Sequence, residues 1–181
     1  MTPRWPSARA PQTDYQRDVR DDQRGVVLNH VPRRHSGRMM DLIRQIPEGG
    51  DLGDADPKLW PKSHYSQAYV RLHSQGVART VTTFFCNPGS GRFLHYAEDR
   101  AITVREAARL QGFRDDFVFE GQQDERMRLV GNAVPLPLAA ALAKHIHGAI
   151  GEMVLARPVD TILEPSPTSA DVDDASLAAI G

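Results

Sequence analysis

The chain holds 181 residues, 40% of them hydrophobic and 25% charged, with a formal net charge of −1; this fits one soluble globular domain, or one and a fraction, with disordered ends. A single cysteine excludes an internal disulfide framework and makes a cytoplasmic location the default expectation. The N-terminus lacks the apolar core of a signal peptide, and no apolar run approaches the roughly 20 residues of a membrane helix.

The near-neutral total hides an asymmetry. Residues 151–181 carry six acids and one base, whereas residues 26–150 carry 16 bases and 13 acids. Arginine outnumbers lysine 19 to 3. Arginine suits bidentate contact with phosphates and guanine edges, although a bias in codon composition gives the same count. The small positive surplus does not by itself establish nucleic-acid binding.

In chain order, residues 1–25 are polar and aperiodic and read as a flexible arm. Met39, Met40, Ile43 and Ile46 space as a short amphipathic helix, which Pro47 ends before a turn at Gly49-Gly50. Residues 51–62 read as loop. Tyr69 to Leu72, Thr80 to Phe85 and Arg92 to Tyr96 are rich in β-branched and aromatic residues and predict three strands. Gln75-Gly76 and Asn87 to Gly91 are the turns between them. Thr103 and Glu106 form a capping box, so a helix starts there and ends at Gly112. Its Val104, Ala107, Ala108 and Gln111 share an inward face. A second helix is predicted over 135–150, where Leu138, Leu142, Ile146 and Ile150 repeat at i+4. Beyond residue 151 the acidic, Pro/Ser-rich chain reads as a disordered tail.

Gly131-Asn132-Ala133-Val134-Pro135 is a Gly-Asn turn feeding a helix N-terminus. It predicts either an anion site, able to take a carboxylate or a phosphate, or an ordinary loop-to-helix junction with proline in the first turn. Gly89-Ser90-Gly91 lacks a following helical pattern and reads as a turn rather than a cofactor loop. Cys86 reads as a small buried hydrophobe rather than a nucleophile. His145 and His147 face different directions on a helix, and His30 and His35 have no cysteine partners, so no metal site is expected.

Taken together, these segments resemble the C5-cytosine DNA methyltransferases. Residues 100–113 (RAITVREAARLQGF) resemble motif IX of that family, and Gly131 to Pro135 resemble motif X. Asp115 to Phe119 and Arg128 to Gly131 fall where the family has linking residues. Tyr69 to His73 and Ala78 to Thr82 resemble the end of its target-recognition region, with Asn29-His30, His35-Ser36 and Ile46 to Gly50 leading in. The likeness covers roughly residues 28–150. It departs at Phe113-Arg114-Asp115, where the family often has Phe-Pro-Asp, and at His95-Tyr96, where it often has His-Pro.

The resemblance implies methyl transfer from S-adenosylmethionine to a cytosine flipped out of double-stranded DNA. It implies that Asn132 and Ala133 lie near the cofactor carboxylate, that Thr80 contacts a DNA phosphate and that Arg71 lies near the major groove. Arg105, with Thr103 and Glu106, would brace the recognition region. No catalytic residue is expected in this chain. The family's Pro-Cys nucleophile, its Glu-Asn-Val and its Gly-rich cofactor loop have no counterpart in the sequence.

The expected fold is therefore α/β, the C-terminal part of an S-adenosylmethionine-dependent methyltransferase. A small β-rich recognition region over 26–98 would precede helices over 99–150 that dock on a doubly wound sheet. A flexible arm (1–25) and an acidic tail (151–181) flank them. The expected role is a DNA (cytosine-5-)-methyltransferase segment or subunit of restriction-modification type. Its catalytic cysteine would come from another chain carrying the Pro-Cys and Glu-Asn-Val motifs. An inactive truncated remnant and a repurposed DNA-binding module are the alternatives.

Overall fold

A computed structural model describes residues 11–20 and 27–156. The described elements are the helices α1 (Asp14–Val19), α2 (Gly37–Gln45), α3 (Val104–Leu110), α4 (Gln123–Gly131) and α5 (Leu136–Ala156), with short 3-10 turns at Leu52–Asp54, Pro57–Leu59 and Pro88–Ser90. The chain divides into two compact units, Met1–Ala139 and Ala140–Gly181.

Within the first unit, α2 starts at Ser36, whose hydroxyl accepts from the Met39 amide, and it buries Leu42 and Ile43. Pro47 follows its end, and the Gly50 amide bonds back to the Pro47 carbonyl at 2.9 Å. Gly49 there adopts φ +74°, a left-handed conformation that glycine takes without a Cβ penalty. Leu42, Ile43 and Ile46 form one apolar cluster with Tyr69 and Leu94. A second cluster gathers Phe85, Cys86, Phe93, Ala107, Ala108 and Val130. The alanines of α3 let that helix lie close against these neighbours.

The three predicted strands do not form: among the described residues only two isolated bridges occur, Arg71 with Leu94 and Leu94 with Ala101. The apolar side chains are buried as expected, but the backbone turns away from any ladder. Tyr69 sits at φ 58°, which breaks an extended run at its first residue. Further on, the Ser90 hydroxyl donates to the carbonyls of Phe84 and Asn87 and curls that segment into turns.

Residues 14–19, read from sequence as part of a flexible arm, form a helix capped by Thr13. The arm is docked: the Tyr15 hydroxyl donates to the Arg109 carbonyl. The Asp115 amide bonds to the Val19 carbonyl at 2.8 Å, and Val19 is buried. Residues 1–10, 21–26 and the acidic tail over 157–181 lie outside the described residues.

α5 is longer than predicted and largely uncovered: Leu138, Leu142, Ile146 and Ile150 are each about half exposed. The stretch Gln123–Gly151, which takes in α4 and most of α5, is apolar enough to cross a membrane by length and composition alone. The sequence reading missed this because alanines, not only large apolar residues, contribute to the average. Such an apolar stretch equally suits burial between the layers of a larger domain.

Arg71 departs from its expectation as well. Predicted near a DNA groove, it is only 5% exposed. Its guanidinium donates to the carbonyls of Ile43 (2.7 Å) and Ile46 (2.7 Å) at the C-terminal end of α2. It also donates to the carbonyls of His95 (2.8 Å) and Glu98 (2.7 Å) and to the Asp99 carboxylate (3.0 Å). Those bonds satisfy orphan carbonyls of a helix end and place a cation at its negative pole. No donor is left to reach DNA, so Arg71 is a staple between α2 and the 95–99 turn.

The start of α3 is held in a similar way. The Thr103 hydroxyl accepts from the Glu106 amide, and Glu106 accepts from the Thr103 amide at 2.8 Å. The same carboxylate receives a two-armed contact from Arg100, both bonds at 2.7 Å. Burial pushes the Glu106 pKa up, but the Arg100 contact and the Thr103 amide outweigh it and hold the carboxyl down to about 2.

Two outcomes follow. Arg71→Ala strands several buried carbonyls and should cost about 3 kcal/mol, read as a lowered midpoint in urea unfolding of the chain. An unchanged midpoint would show that Arg71 is not a staple. For Glu106 the folded pKa lies below the unfolded value near 4.3, so its stabilisation is present at neutral pH and is lost as pH falls from about 5 toward 2. Glu106→Gln should flatten that acid limb of the stability profile, measured by denaturation at stepped pH.

Candidate functional site

The turn at the end of α4 is built from close backbone contacts. A Cβ on Gly131 would lie 2.6 Å from the carbonyl carbon and oxygen of Thr82 and 2.6 Å from the Thr83 Cα. Only glycine permits that approach without a shift of one backbone or the other. α3 holds the other side of the turn. Its C-terminus closes on Gly112 at φ +84°, with the Phe113 amide bonding to the Ala108 carbonyl at 3.0 Å. Buried Gln111 then donates its side-chain amide to the carbonyls of Val130 (3.2 Å) and Ala133 (3.3 Å). Its own carbonyl accepts from the Leu136 amide at 2.9 Å, where α5 begins.

These contacts open a cleft of about 310 Å³ lined by Arg79, Thr80, Gln111, Gly131, Ala133 and Pro135, among others. Thr80 and Ala133, singled out from distant parts of the sequence, thus share one cavity. Asn132 does not line it; its side chain is exposed at the turn.

The Asn132 amide bonds to Arg128, the Ala133 amide to Val130 and the Leu136 amide to Gln111. An anion site needs free amides at the helix start; the Asn132 and Ala133 amides are engaged at the end of α4, and the Leu136 amide, at the start of α5, is engaged by Gln111. These bonds brace the loop-to-helix junction. What the turn presents outward is the Asn132 carboxamide and the half-exposed Val134.

Arg105 lies behind the cleft, fully buried at 0% exposure. Its guanidinium donates to the carbonyls of Leu28 (3.0 Å), Arg114 (2.8 Å) and Phe117 (2.6 Å), with the Asp115 carboxylate 3.9 Å away. Burial pulls its pKa down and Asp115 opposes that pull. Nearby, the Asn29 side chain makes a paired contact with the Phe119 backbone, both bonds at 3.0 Å. Arg105, Thr103 and Glu106 all sit on or beside α3, and each is bonded to protein rather than turned outward.

Cys86 is fully buried, and burial pushes its thiol pKa up to about 12. A thiol in that state is not a nucleophile at neutral pH.

Sequence reasoning missed Gln111 as the residue that ties α3 to the turn, reading it only as part of an inward face. It also missed α4, although Glu125 stands at the spacing of a capping box and bonds back to the Gln122 amide at 2.6 Å. The exposed charges of α4 hide a core contact of only Met127 and Val130.

Comparison with known proteins gives this site its context. The chain is 38% identical over 124 residues to the type II methyltransferase M1.HphI of Haemophilus parahaemolyticus, covering 68% of this chain and 32% of that protein. It is 42% identical over 136 residues to the type II methyltransferase M.NgoFVII of Neisseria gonorrhoeae, covering 67% and 35%. It is 34% identical over 118 residues to DNA (cytosine-5)-methyltransferase 1 of Gallus gallus, covering 63% and 8%. The chain thus spans about a third of the length of the bacterial relatives. A family model for the C-5 cytosine-specific DNA methylase matches residues 6–148. The match begins inside the arm that the sequence reading had set outside the likeness, in keeping with the docking of α1. On these matches, the chain belongs to the C-5 cytosine-specific DNA methylase family.

Proposed function

We propose that this chain supplies the target-recognition and closing part of a C5-cytosine DNA methyltransferase, acting with a separate catalytic subunit. The observation that carries the reading is the cleft in which Thr80 meets the Gly131 turn, in a chain whose only cysteine is sealed and inert. That juxtaposition joins a segment suited to DNA contact to one suited to a cofactor wall. A nucleophile must then come from outside these residues, from the subunit bearing the Pro-Cys and Glu-Asn-Val motifs.

In this reading Thr80, exposed at the rim of the cleft, donates its hydroxyl to a DNA phosphate. Asn132 contacts the polar end of S-adenosylmethionine through its carboxamide, while Ala133 and Val134 offer apolar wall. The cofactor, when bound, supplies the methyl group. Arg105, which does not line the cleft, touches neither substrate nor cofactor; Gln111 lines the cleft and, through its bonds to Val130 and Ala133, holds the two segments in register. The exposed apolar face of α5 is the surface that the catalytic subunit covers, which would remove an otherwise costly exposure.

The decisive test is reconstitution. The chain is co-expressed with a neighbouring reading frame that carries the missing motifs, and methyl transfer to DNA is measured. Activity should require both proteins. If the two neither associate nor methylate cytosine, the subunit reading fails.

Two variants probe the site itself. Gly131→Ala forces a Cβ into the Thr82–Thr83 backbone and should cut reconstituted activity by an order of magnitude or more, with a lowered melting temperature of the chain. Thr80→Ala should leave the melting temperature unchanged and weaken binding to all DNA sequences alike, by about 5-fold for one hydrogen bond. Equal DNA affinity for Thr80→Ala and the parent chain would remove Thr80 from the interface.

A further inference from the structure

Val77 is 96% exposed, far more than any other large hydrophobic side chain described. A single exposed valine is ordinary on a protein surface. Its setting is not. The turn beneath it is tightly made: the Gly76 amide bonds to the His73 carbonyl at 3.0 Å, and the Gln75 amide bonds to the His73 ring Nδ1 at 3.1 Å. The root of the loop is pinned from below, with the Gly49 amide on the Leu72 carbonyl at 3.2 Å and the Ser74 amide on the Glu48 carboxylate. Val77 is therefore presented by a well-anchored turn.

The concave surface beside that turn has a definite charge. A cavity of about 500 Å³ is lined by Val77, Arg79, Arg92, His73, Ser74 and Tyr96, among others, and no carboxylate is among its lining residues. Arg79 is exposed. Arg92 is steadied by a 2.6 Å bond to Gln67. Thr80, at the rim of the neighbouring cleft, follows directly in sequence. Cationic side chains around a hollow that no carboxylate lines, the Glu48 carboxylate being engaged at the loop root with the Ser74 amide, and one apolar tip held out beside them fit a polyanion whose interior offers apolar contacts. Duplex DNA has that chemistry, with phosphates outside and thymine methyl groups in the major groove.

We propose that Val77 is the apolar tip by which this loop touches base edges in a groove of duplex DNA, with Arg79 and Arg92 binding phosphates. The inference rests on the reading of the chain as a DNA-recognition part and deepens it. It makes Val77 a specificity contact and the arginines affinity contacts.

The test uses the full chain and its Val77→Ala and Arg79→Ala variants. Binding to a mixed-sequence duplex is followed by fluorescence anisotropy at several salt concentrations, with heparin as a polyanion that lacks bases. Val77→Ala should weaken duplex binding about 5-fold with an unchanged salt slope and leave heparin binding alone. Arg79→Ala should weaken both and lower the magnitude of the salt slope by about one. Selection from a random-sequence duplex pool should show Val77→Ala losing preference at one base position. Because Val77 is almost fully exposed, the melting temperature of Val77→Ala should match that of the parent chain. If Val77→Ala matches the parent chain in affinity and in selected sequence, the proposal is wrong while the recognition reading stands. Equal weakening on duplex and heparin also overturns it, since no base is then involved. If the parent chain binds no duplex even at low salt, the recognition reading and this inference fall together.

Discussion

The buried guanidinium of Arg105 is the constraint on which the site depends. It takes three backbone carbonyls from two separate stretches, Leu28 on one side and Arg114 and Phe117 on the other, at 2.6 to 3.0 Å. A cation with no exposure is costly to desolvate, and it is tolerated here because acceptors surround it. Once Arg105 is seated, the axis and rotation of α3 are set. The Arg105 amide adds a further bond to the Asn29 carbonyl at 3.0 Å, so main chain and side chain fix the same junction. Everything downstream of α3, including the Gly112 cap and Gln111, inherits that placement.

The site is then assembled by small residues and backbone bonds rather than by a sheet. Ala107 and Ala108 bring α3 close to the core, and Gly131 brings the end of α4 against Thr82 and Thr83. Gln111 closes the arrangement by bonding both ends of the turn. Such packing leaves little room for adjustment, because interiors at native density transmit even small displacements. It explains how a region without regular strands still presents Thr80 and Ala133 in one cavity.

What was legible in the sequence was what is local. The capping box at Thr103 and Glu106, the glycine stop at Gly112 and the i+4 repeat of α5 are short-range signals, and the helices stand where those signals put them. That the backbone over 69–96 makes isolated bridges rather than strands was not legible, because Val81, Phe85 and Phe93 are buried as strand residues would be while the backbone turns. α1 escaped notice because its anchors, the Arg109 and Asp115 backbones, lie far away in sequence. Arg71 misled for the opposite reason. An arginine in a basic, family-like segment invites a surface role, whereas its partners are the frayed carbonyls of α2, which no local pattern reveals. Of the site, Thr80 and Ala133 could be singled out individually; that they share a wall follows only from Gly131 and Gln111, whose work is long-range.

The sealed state of Cys86 has a chemical consequence of its own. With its pKa pushed up to about 12 and no exposure, the thiol presents almost no thiolate at neutral pH and no path to an electrophile. The folded chain is therefore silent toward alkylating reagents. In the assembly proposed above, inactivation by iodoacetamide or a maleimide would report on a cysteine other than Cys86, and any protection against it could be read without interference from this chain.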